Sequence, residues 1–208
     1  MPLLLHKETD TGGTVAVWKM KESLDVLFSK LNLHQKDRDK VNAYKLESRK
    51  KEFLATRCLI KEVLGIDAVI DYLDSGKPVI KNSDFKISIS HTKGYVAVAF
   101  SRGEFAGIDI EYPSERVARV YKRFVSPQEE LFIPEDKKVE YYTMMWCLKE
   151  TMYKMYDRKN SIFTINFICH PFQLKKQGAI RATFDFEDCH TMDFEYVTTP
   201  AFYLVYHC

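Results

Sequence analysis

Three carboxylates and two lysines stand at spacings that could do phosphate chemistry. In Gly107-Ile108-Asp109-Ile110-Glu111 the alternation has the period of a strand, which sends Ile108 and Ile110 to the core and Asp109 and Glu111 to the opposite face. At about 7 Å apart along one strand, the two acids repel unless something positive lies between them. Farther on, Trp146-Cys147-Leu148-Lys149-Glu150 runs on to Lys154 with helical spacing. Met145, Leu148, Met152 and Met155 form one apolar stripe, and Trp146, Glu150 and Lys154 fall at i, i+4, i+8 on the other side. A tryptophan on a polar face implies cover, either by another part of the chain or by a ligand. Asp109, Glu111 and Glu150 are an oxygen-only donor set of the kind Mg²⁺ takes, at about 2.0–2.1 Å with room for water and phosphate oxygens. His91, Lys149 and Lys154 would bring positive charge to a phosphate held by the same ion. Spacing alone leaves plainer alternatives open. Glu150 and Lys154 make an ordinary i,i+4 pair, and an Asp-Ile-Glu strand is often a solvated face.

The elements that must position these residues are readable in outline. The N-terminal third reads as strand, helix, helix: a strand over 14–20, a short amphipathic helix marked by Leu24, Leu27, Phe28 and Leu31, a polar loop over 32–39, and a longer helix that ends near Leu64 before Gly65. On that helix Lys50 and Arg57 share a face, and an arginine in apolar company needs an anionic partner, with Asp67 and Asp71 as nearby acids. Residues 74–78 are a turn by composition, and 87–91 with 95–101 form a hairpin around Thr92-Lys93-Gly94, with His91 on the Ile87/Ile89 face. A boundary near Ser101-Arg102-Gly103-Glu104 separates residues 1–102 from 103–208. Pro113-Ser114-Glu115 opens a helix carrying Arg116, Arg119, Lys122 and Arg123, a charge run that most often is a solvated face. Ser126-Pro127-Gln128-Glu129 fits a capping box with proline at the first helical position. Strands over 163–169, 182–186, 192–196 and 202–206 then make an antiparallel sheet.

Composition sets the outer limits. With 46% hydrophobic and 13% aromatic residues in 208, the chain buries a substantial core and is not disordered. Lysine plus arginine (31) nearly balances aspartate plus glutamate (29), too even for a dedicated nucleic-acid binder. There is no 18-residue apolar run and no signal peptide, so the expectation is a cytoplasmic protein that is not held in a membrane. Cys58, Cys147, Cys169, Cys189 and Cys208 lack a Cys-x-x-Cys pair and read as reduced thiols. In Cys169-His170, Cys189-His190 and His207-Cys208 neighbouring side chains on a strand point apart, which argues against zinc.

Ser88-Ile89-Ser90-His91-Thr92, Gly107-Ile108-Asp109-Ile110-Glu111 and Trp146-Cys147-Leu148-Lys149-Glu150 with Lys154, in that order and at about these separations, resemble the signature of the Sfp-type 4′-phosphopantetheinyl transferases. Gly76-Lys77-Pro78 and the helix around Phe53-Leu54-Ala55-Thr56-Arg57 extend the resemblance over residues 45 to 155. It implies an α+β fold of two similar halves related by a pseudo-twofold, each a small antiparallel sheet packed with helices, acting as a monomer. The first half would be the coenzyme A nucleotide side, the second the metal and carrier-protein side. The resemblance implies that Arg57, Lys77, His91, Ser90, Thr92, Lys50 (or Arg49) and Lys154 contact coenzyme A. It implies that Asp109, Glu111 and Glu150 hold Mg²⁺ or Mn²⁺, that Glu129 stands near the ion's water shell, and that Arg116, Arg119 and Lys122 dock an acidic carrier helix. Where the family often has a glycine-bearing turn after the last motif lysine, this chain has Asp157-Arg158-Lys159-Asn160.

The implied reaction moves the 4′-phosphopantetheine arm of coenzyme A to a serine of an apo acyl or peptidyl carrier protein, releasing 3′,5′-ADP. Glu150 would take the serine proton, and Lys154, with Lys149, would stabilise the departing phosphate. Two rivals come from other classes: a non-catalytic homologue that binds coenzyme A or a carrier protein, and a metal-dependent phosphohydrolase that uses water as nucleophile.

Overall fold

The computed structural model describes residues 2–156, 158 and 160–208. The chain divides into two compact units, Met1–Ala106 with Cys208, and Gly107–His207. Both are α+β, each built on an antiparallel sheet.

The first unit holds a six-stranded sheet in the order β1-β2-β6-β5-β4-β3. Its strands are β1 (Leu3–Glu8), β2 (Thr14–Lys19), β3 (Ile70–Tyr72), β4 (Pro78–Ile80), β5 (Lys86–Thr92) and β6 (Tyr95–Ser101). The fully buried run Tyr-Val-Ala-Val-Ala-Phe-Ser of β6 pairs on both sides, with β2 and β5, and small or β-branched residues suit such a central position. Three helices accompany the sheet: α1 (Leu24–Ser29), α2 (Gln35–Ala43) and α3 (Glu47–Leu64). α3 lies against β6 and β2 and buries Phe53, Leu54, Leu59 and Ile60, each worth about 1.5–3 kcal/mol. Gly65 closes it in the left-handed region (φ 72°), its N–H returning to the Lys61 carbonyl.

The sequence misses β1, β3 and β4, reads the first half of α2 as a polar loop and runs its second half on into α3, from which residues 44–46 separate it. α2 has no apolar stripe to read: of its nine residues only Asp37 and Val41 are buried, so an ion pair takes the place of a hydrophobic face.

The second unit has the sheet order β7-β11-β10-β9-β8, with β7 (Gly107–Glu111), β8 (Phe167–Cys169), β9 (Gln177–Phe184), β10 (His190–Thr198) and β11 (Tyr203–His207). Its helices are α4 (Pro127–Glu130), α5 (Lys138–Tyr156) and α6 (Phe163–Asn166). α5 packs on β7 and β11. Gly107 permits that approach, because a Cβ there would lie 2.5 Å from Met155 Cγ and 2.9 Å from the Thr151 carbonyl oxygen. The capping box at Ser126 and Glu129 is present in full, with Pro127 at the start of α4.

Two expectations need correction. The basic stretch after Pro113 is no continuous helix. It is two 3-10 turns, Val117–Arg119 and Tyr121–Arg123, interrupted where Val120 takes φ −123°, ψ 4°. This break lets Tyr121 stack on Tyr142 (4.4 Å between ring centres) while Phe124 packs on Trp146. The strand expected from Phe163 begins instead at Phe167, after the turn of helix that is α6. The glycine-poor loop after Lys154 includes Asp157 and Lys159, which lie outside the described residues.

Candidate active site

Within the second unit the strand acids face α5. Gly107, Asp109 and Glu111 share one side of β7, and the helix covers that side: Asp109 is 3% exposed, as thoroughly buried as Ile108 and Ile110 on the other side. The sequence separates the two faces but takes the carboxylate face as the one away from the core. The glycine that admits the helix is the reason it is not.

α5 and β7 run antiparallel, so Cys147 and Thr151, one turn apart on the helix, meet Asp109 and Gly107 on the strand. Trp146 Nε1 donates to Glu111 Oε1 at 2.9 Å, and Lys154 Nζ donates to Asp109 Oδ1 at 2.7 Å and to the Ile108 carbonyl at 3.1 Å. Glu150 lies on the helix between these two contacts. Met145, Leu148, Met152 and Met155 are buried as expected. The cover over Trp146 comes from the chain itself, with Phe124 at 5.1 Å and Phe163 at 5.7 Å between ring centres.

Burial, then the charge of Asp109, pushes the Glu111 carboxyl up to about 7, against the pull of the Trp146 N–H and Lys154. Burial and Asp109 likewise push Glu150 up to about 7, with Lys154 opposing. Three half-buried to buried acids thus share one ammonium. All offered donors are oxygen, and the surplus of negative charge is what a hard divalent cation relieves, so the donor chemistry fits Mg²⁺. As they stand, among the described residues, the His, Cys, Asp and Glu side chains form no group of three gathered tightly enough to hold a metal ion.

Lys149 does not join the acids. It is 0% exposed, and its Nζ lies 2.7 and 2.8 Å from the two Glu129 oxygens and 3.0 Å from the Phe163 carbonyl. Glu129 in turn accepts the backbone N–H groups of Ser126 (2.7 Å) and Cys169 (2.8 Å). A buried lysine must be paired, and this pair fastens α4, α5, α6 and β8 to one another. The placement contrasts with the expected phosphate-facing role of Lys149, and it commits Glu129 to the fold.

In the first unit Arg57 is 4% exposed and grips Asp37 through Nε and Nη2 at 2.8 and 3.1 Å. Its acid is therefore on α2. The acids nearer in sequence pair elsewhere, Asp67 with Lys61 and Asp71 with Lys36. Arg57, Arg49, Glu52 and His91 line a cavity of about 140 Å³ with Tyr44 and Tyr72. Arg49 Nη1 contacts Glu52 at 2.8 Å and His91 Nε2 at 3.2 Å, and His91 is exposed. The cavity is lined by two arginines, each already beside a carboxylate, and by two tyrosines. Ser90 is buried on the opposite face of β5, Thr92 ends that strand, Lys77 lies in the loop between β3 and β4, and Lys50 is partly buried on α3. None of these four lines the cavity. Asp37, Glu52, Tyr44 and Tyr72 are the residues here that the sequence does not single out. Asp37 was within reach through its spacing of four from Val41. Arg116, Arg119, Lys122 and Arg123 are all exposed.

Residues 106–199 match the family model described as the 4′-phosphopantetheinyl transferase superfamily. A Haemophilus influenzae protein provisionally named a 4′-phosphopantetheinyl transferase is 31% identical over 87 residues, covering 39% of this chain and 37% of that protein. The chain thus aligns with little more than a third of this curated relative's length. Both comparisons support the family to which the three motifs point. The matched stretch holds Asp109, Glu111, Glu129, Lys149, Glu150 and Lys154, whereas Arg57, Lys77 and His91 precede it.

Proposed function

We propose that the protein transfers the 4′-phosphopantetheine arm of coenzyme A to a serine hydroxyl of an apo acyl or peptidyl carrier protein, with Mg²⁺ or Mn²⁺ held by Asp109, Glu111 and Glu150. The observation that carries this reading is the half-buried acid cluster of β7 and α5, with Lys154 on Asp109 and two carboxyls raised to about 7.

The serine oxygen forms a new bond to the β-phosphorus of coenzyme A, and the bond from that phosphorus to the oxygen bridging to the α-phosphate breaks. The bridging oxygen leaves with the electron pair as part of 3′,5′-ADP. Glu150 takes the serine proton. Glu150 stands on α5 between the Trp146–Glu111 and Lys154–Asp109 contacts, where a carboxylate can accept that proton. Lys154 is 27% exposed at its side chain and half-committed to Asp109, so its ammonium serves the developing charge on the leaving group. The divalent ion, when bound, supplies charge neutralisation at the diphosphate oxygens. The exposed arginines and Lys122 after Pro113 steer an acidic carrier.

Incubation with coenzyme A, Mg²⁺ and a panel of apo carriers should add the mass of the prosthetic arm to one of them. Glu150→Gln should abolish that gain while the circular dichroism melt stays intact. Wild-type turnover by the variant would remove Glu150 from its role. Release of free phosphopantetheine without any carrier would favour the hydrolase instead.

A further inference from the structure

β9 runs on past its neighbour. Its last pair with β8 is Ala182 with Cys169, beyond which the His170 N–H still reaches the Arg181 carbonyl at 3.0 Å. Pro171 follows, has no N–H, and ends the ladder. Alternate residues of an antiparallel strand turn their backbone groups to the same side, so Ala179, two residues before Arg181, points its N–H and carbonyl away from β10 and out of the sheet edge. Gly178 and Ala179 are exposed, and among the described residues no loop backbone bonds to Ala179.

The segment between the two strands, residues 171–176, does not cover this edge, because two buried tyrosines hold it elsewhere. Tyr141 Oη donates to the Phe172 carbonyl and accepts the Leu174 N–H, both at 3.2 Å. Tyr196 Oη donates to the Gln173 carbonyl at 3.2 Å and accepts the Lys175 N–H at 3.0 Å. Gly178 lets that tyrosine reach across, since a Cβ there would lie 3.0 Å from its oxygen. Segment and edge thereby enclose a cavity of about 480 Å³, walled by Phe172, Lys175, Ala179 and Arg181. Among its described lining residues Asp193 is the one acid, and Arg181 holds both its oxygens at 2.9 and 3.0 Å, which leaves Lys175 to make the site positive.

We propose that this edge binds an extended peptide segment bearing acidic side chains, which adds a strand to β9 at Ala179, where β8 stops. Main-chain hydrogen bonds to Ala179 supply the affinity, and the basic wall selects the side chains. A second copy of this chain is a poor occupant: it would bring Lys175, Lys176 and Arg181 against their own kind, and lysine beside an edge discourages such pairing. β10 and β11 separate the site from β7 in the sheet, so it is independent of the acid cluster and of the transfer reaction.

The probe is a short fluorescein-labelled peptide alternating valine with glutamate, titrated with the full chain and read by fluorescence anisotropy. It should bind about tenfold or more tighter than the same peptide with lysine in place of glutamate. A version N-methylated along its backbone keeps every charge but cannot complete a ladder, and should bind about tenfold or more weaker. Ala179→Pro removes an N–H that the β9–β10 ladder does not use and should cost a similar factor; the methylated peptide decides the matter if that variant does not fold. Hydrogen exchange over residues 177–181 should slow when the acidic peptide is bound. Equal binding of the acidic and lysine peptides overturns the proposal, as does equal binding of the methylated one, which would mean ion pairing without strand addition. Failure of the acidic peptide to bind at all overturns it too, and leaves the transfer reaction untouched.

Discussion

Lys149→Met tests whether the buried lysine holds the fold or serves the chemistry. The substitution keeps the length of the side chain and removes the ammonium, leaving Glu129 buried at 4% side-chain exposure with only the Ser126 and Cys169 N–H groups to face its charge. Removing one member of a buried pair costs about 3–5 kcal/mol, because the survivor is uncompensated. For a chain of this length each kcal/mol moves the melting temperature by about 2–4 °C, so a drop of roughly 6–20 °C is expected. Burial lowers the Lys149 pKa against the pull of Glu129, so the ammonium itself is costly to bury there. Removing both charges should therefore be cheaper than removing one. Lys149→Met with Glu129→Gln, which keeps an acceptor for the Cys169 amide, should recover at least half of the loss, a coupling of about 1.5 kcal/mol or more. Urea denaturation followed by tryptophan fluorescence and circular dichroism measures both quantities. A single-variant loss under about 1 kcal/mol, or a double variant no better than the single, refutes the uncompensated-charge reasoning. The double variant should also keep carrier modification within about tenfold, as its lysine touches no acid of the cluster. A folded but inactive double variant would return Lys149 to the reaction.

Arg57→Ala should destabilise the first unit by about 3 kcal/mol or more, since it strands Asp37, while Arg49→Ala, which breaks an exposed pair with Glu52, should cost under about 0.5 kcal/mol; parallel urea titrations compare them. The metal-free protein should melt lower as pH rises from 5 to 8, because Glu111 and Glu150 have folded pKa values near 7, above the ordinary 4.5, and a raised acid stabilises below its unfolded pKa and loses that contribution as pH rises through the folded one. Saturating Mg²⁺ should flatten or reverse the trend in differential scanning fluorimetry, and a flat metal-free profile would show that the two carboxyls are not raised.

The sheets and the long helices were legible wherever a period was clean. The β5–β6 hairpin, the end of α3 at its glycine and the α4 capping box follow from alternation, caps and turn residues, and the second sheet follows in its strands but not in all their bounds, since β8 starts at Phe167 rather than Phe163 and β9 at Gln177 rather than Ala182. The reading failed where an element is held by something other than an apolar stripe. α2 is anchored by Asp37 to Arg57, and the turns after Pro113 by Tyr121 and Phe124 at a spacing of three. Of the candidate site, the sequence separates the acid face of β7 and the Trp146–Glu150–Lys154 face of α5, and Lys154 meets Asp109 across them, but Lys149 could not be told from Lys154 by residue type. One helical position apart from Glu150, Lys149 points to a different side of α5, where Glu129 waits behind a capping box. Only the packing of α4 and β8 reveals that.

The same packing explains why three acids can sit where they do. Isolated on a solvated strand, Asp109 and Glu111 would repel only weakly in high dielectric. Gly107 removes the side chain that would hold α5 off, the helix closes over the acid face, and the local dielectric falls with it. Every charge interaction at the site is strengthened by that one absence, the repulsion among the acids as well as the pull of Lys154. An arrangement of three acids and one ammonium would be more stable with apolar residues in place of the acids. Such unfavourable clusters persist where the charge is used, and the residue that makes this one unfavourable is the glycine that opens the strand.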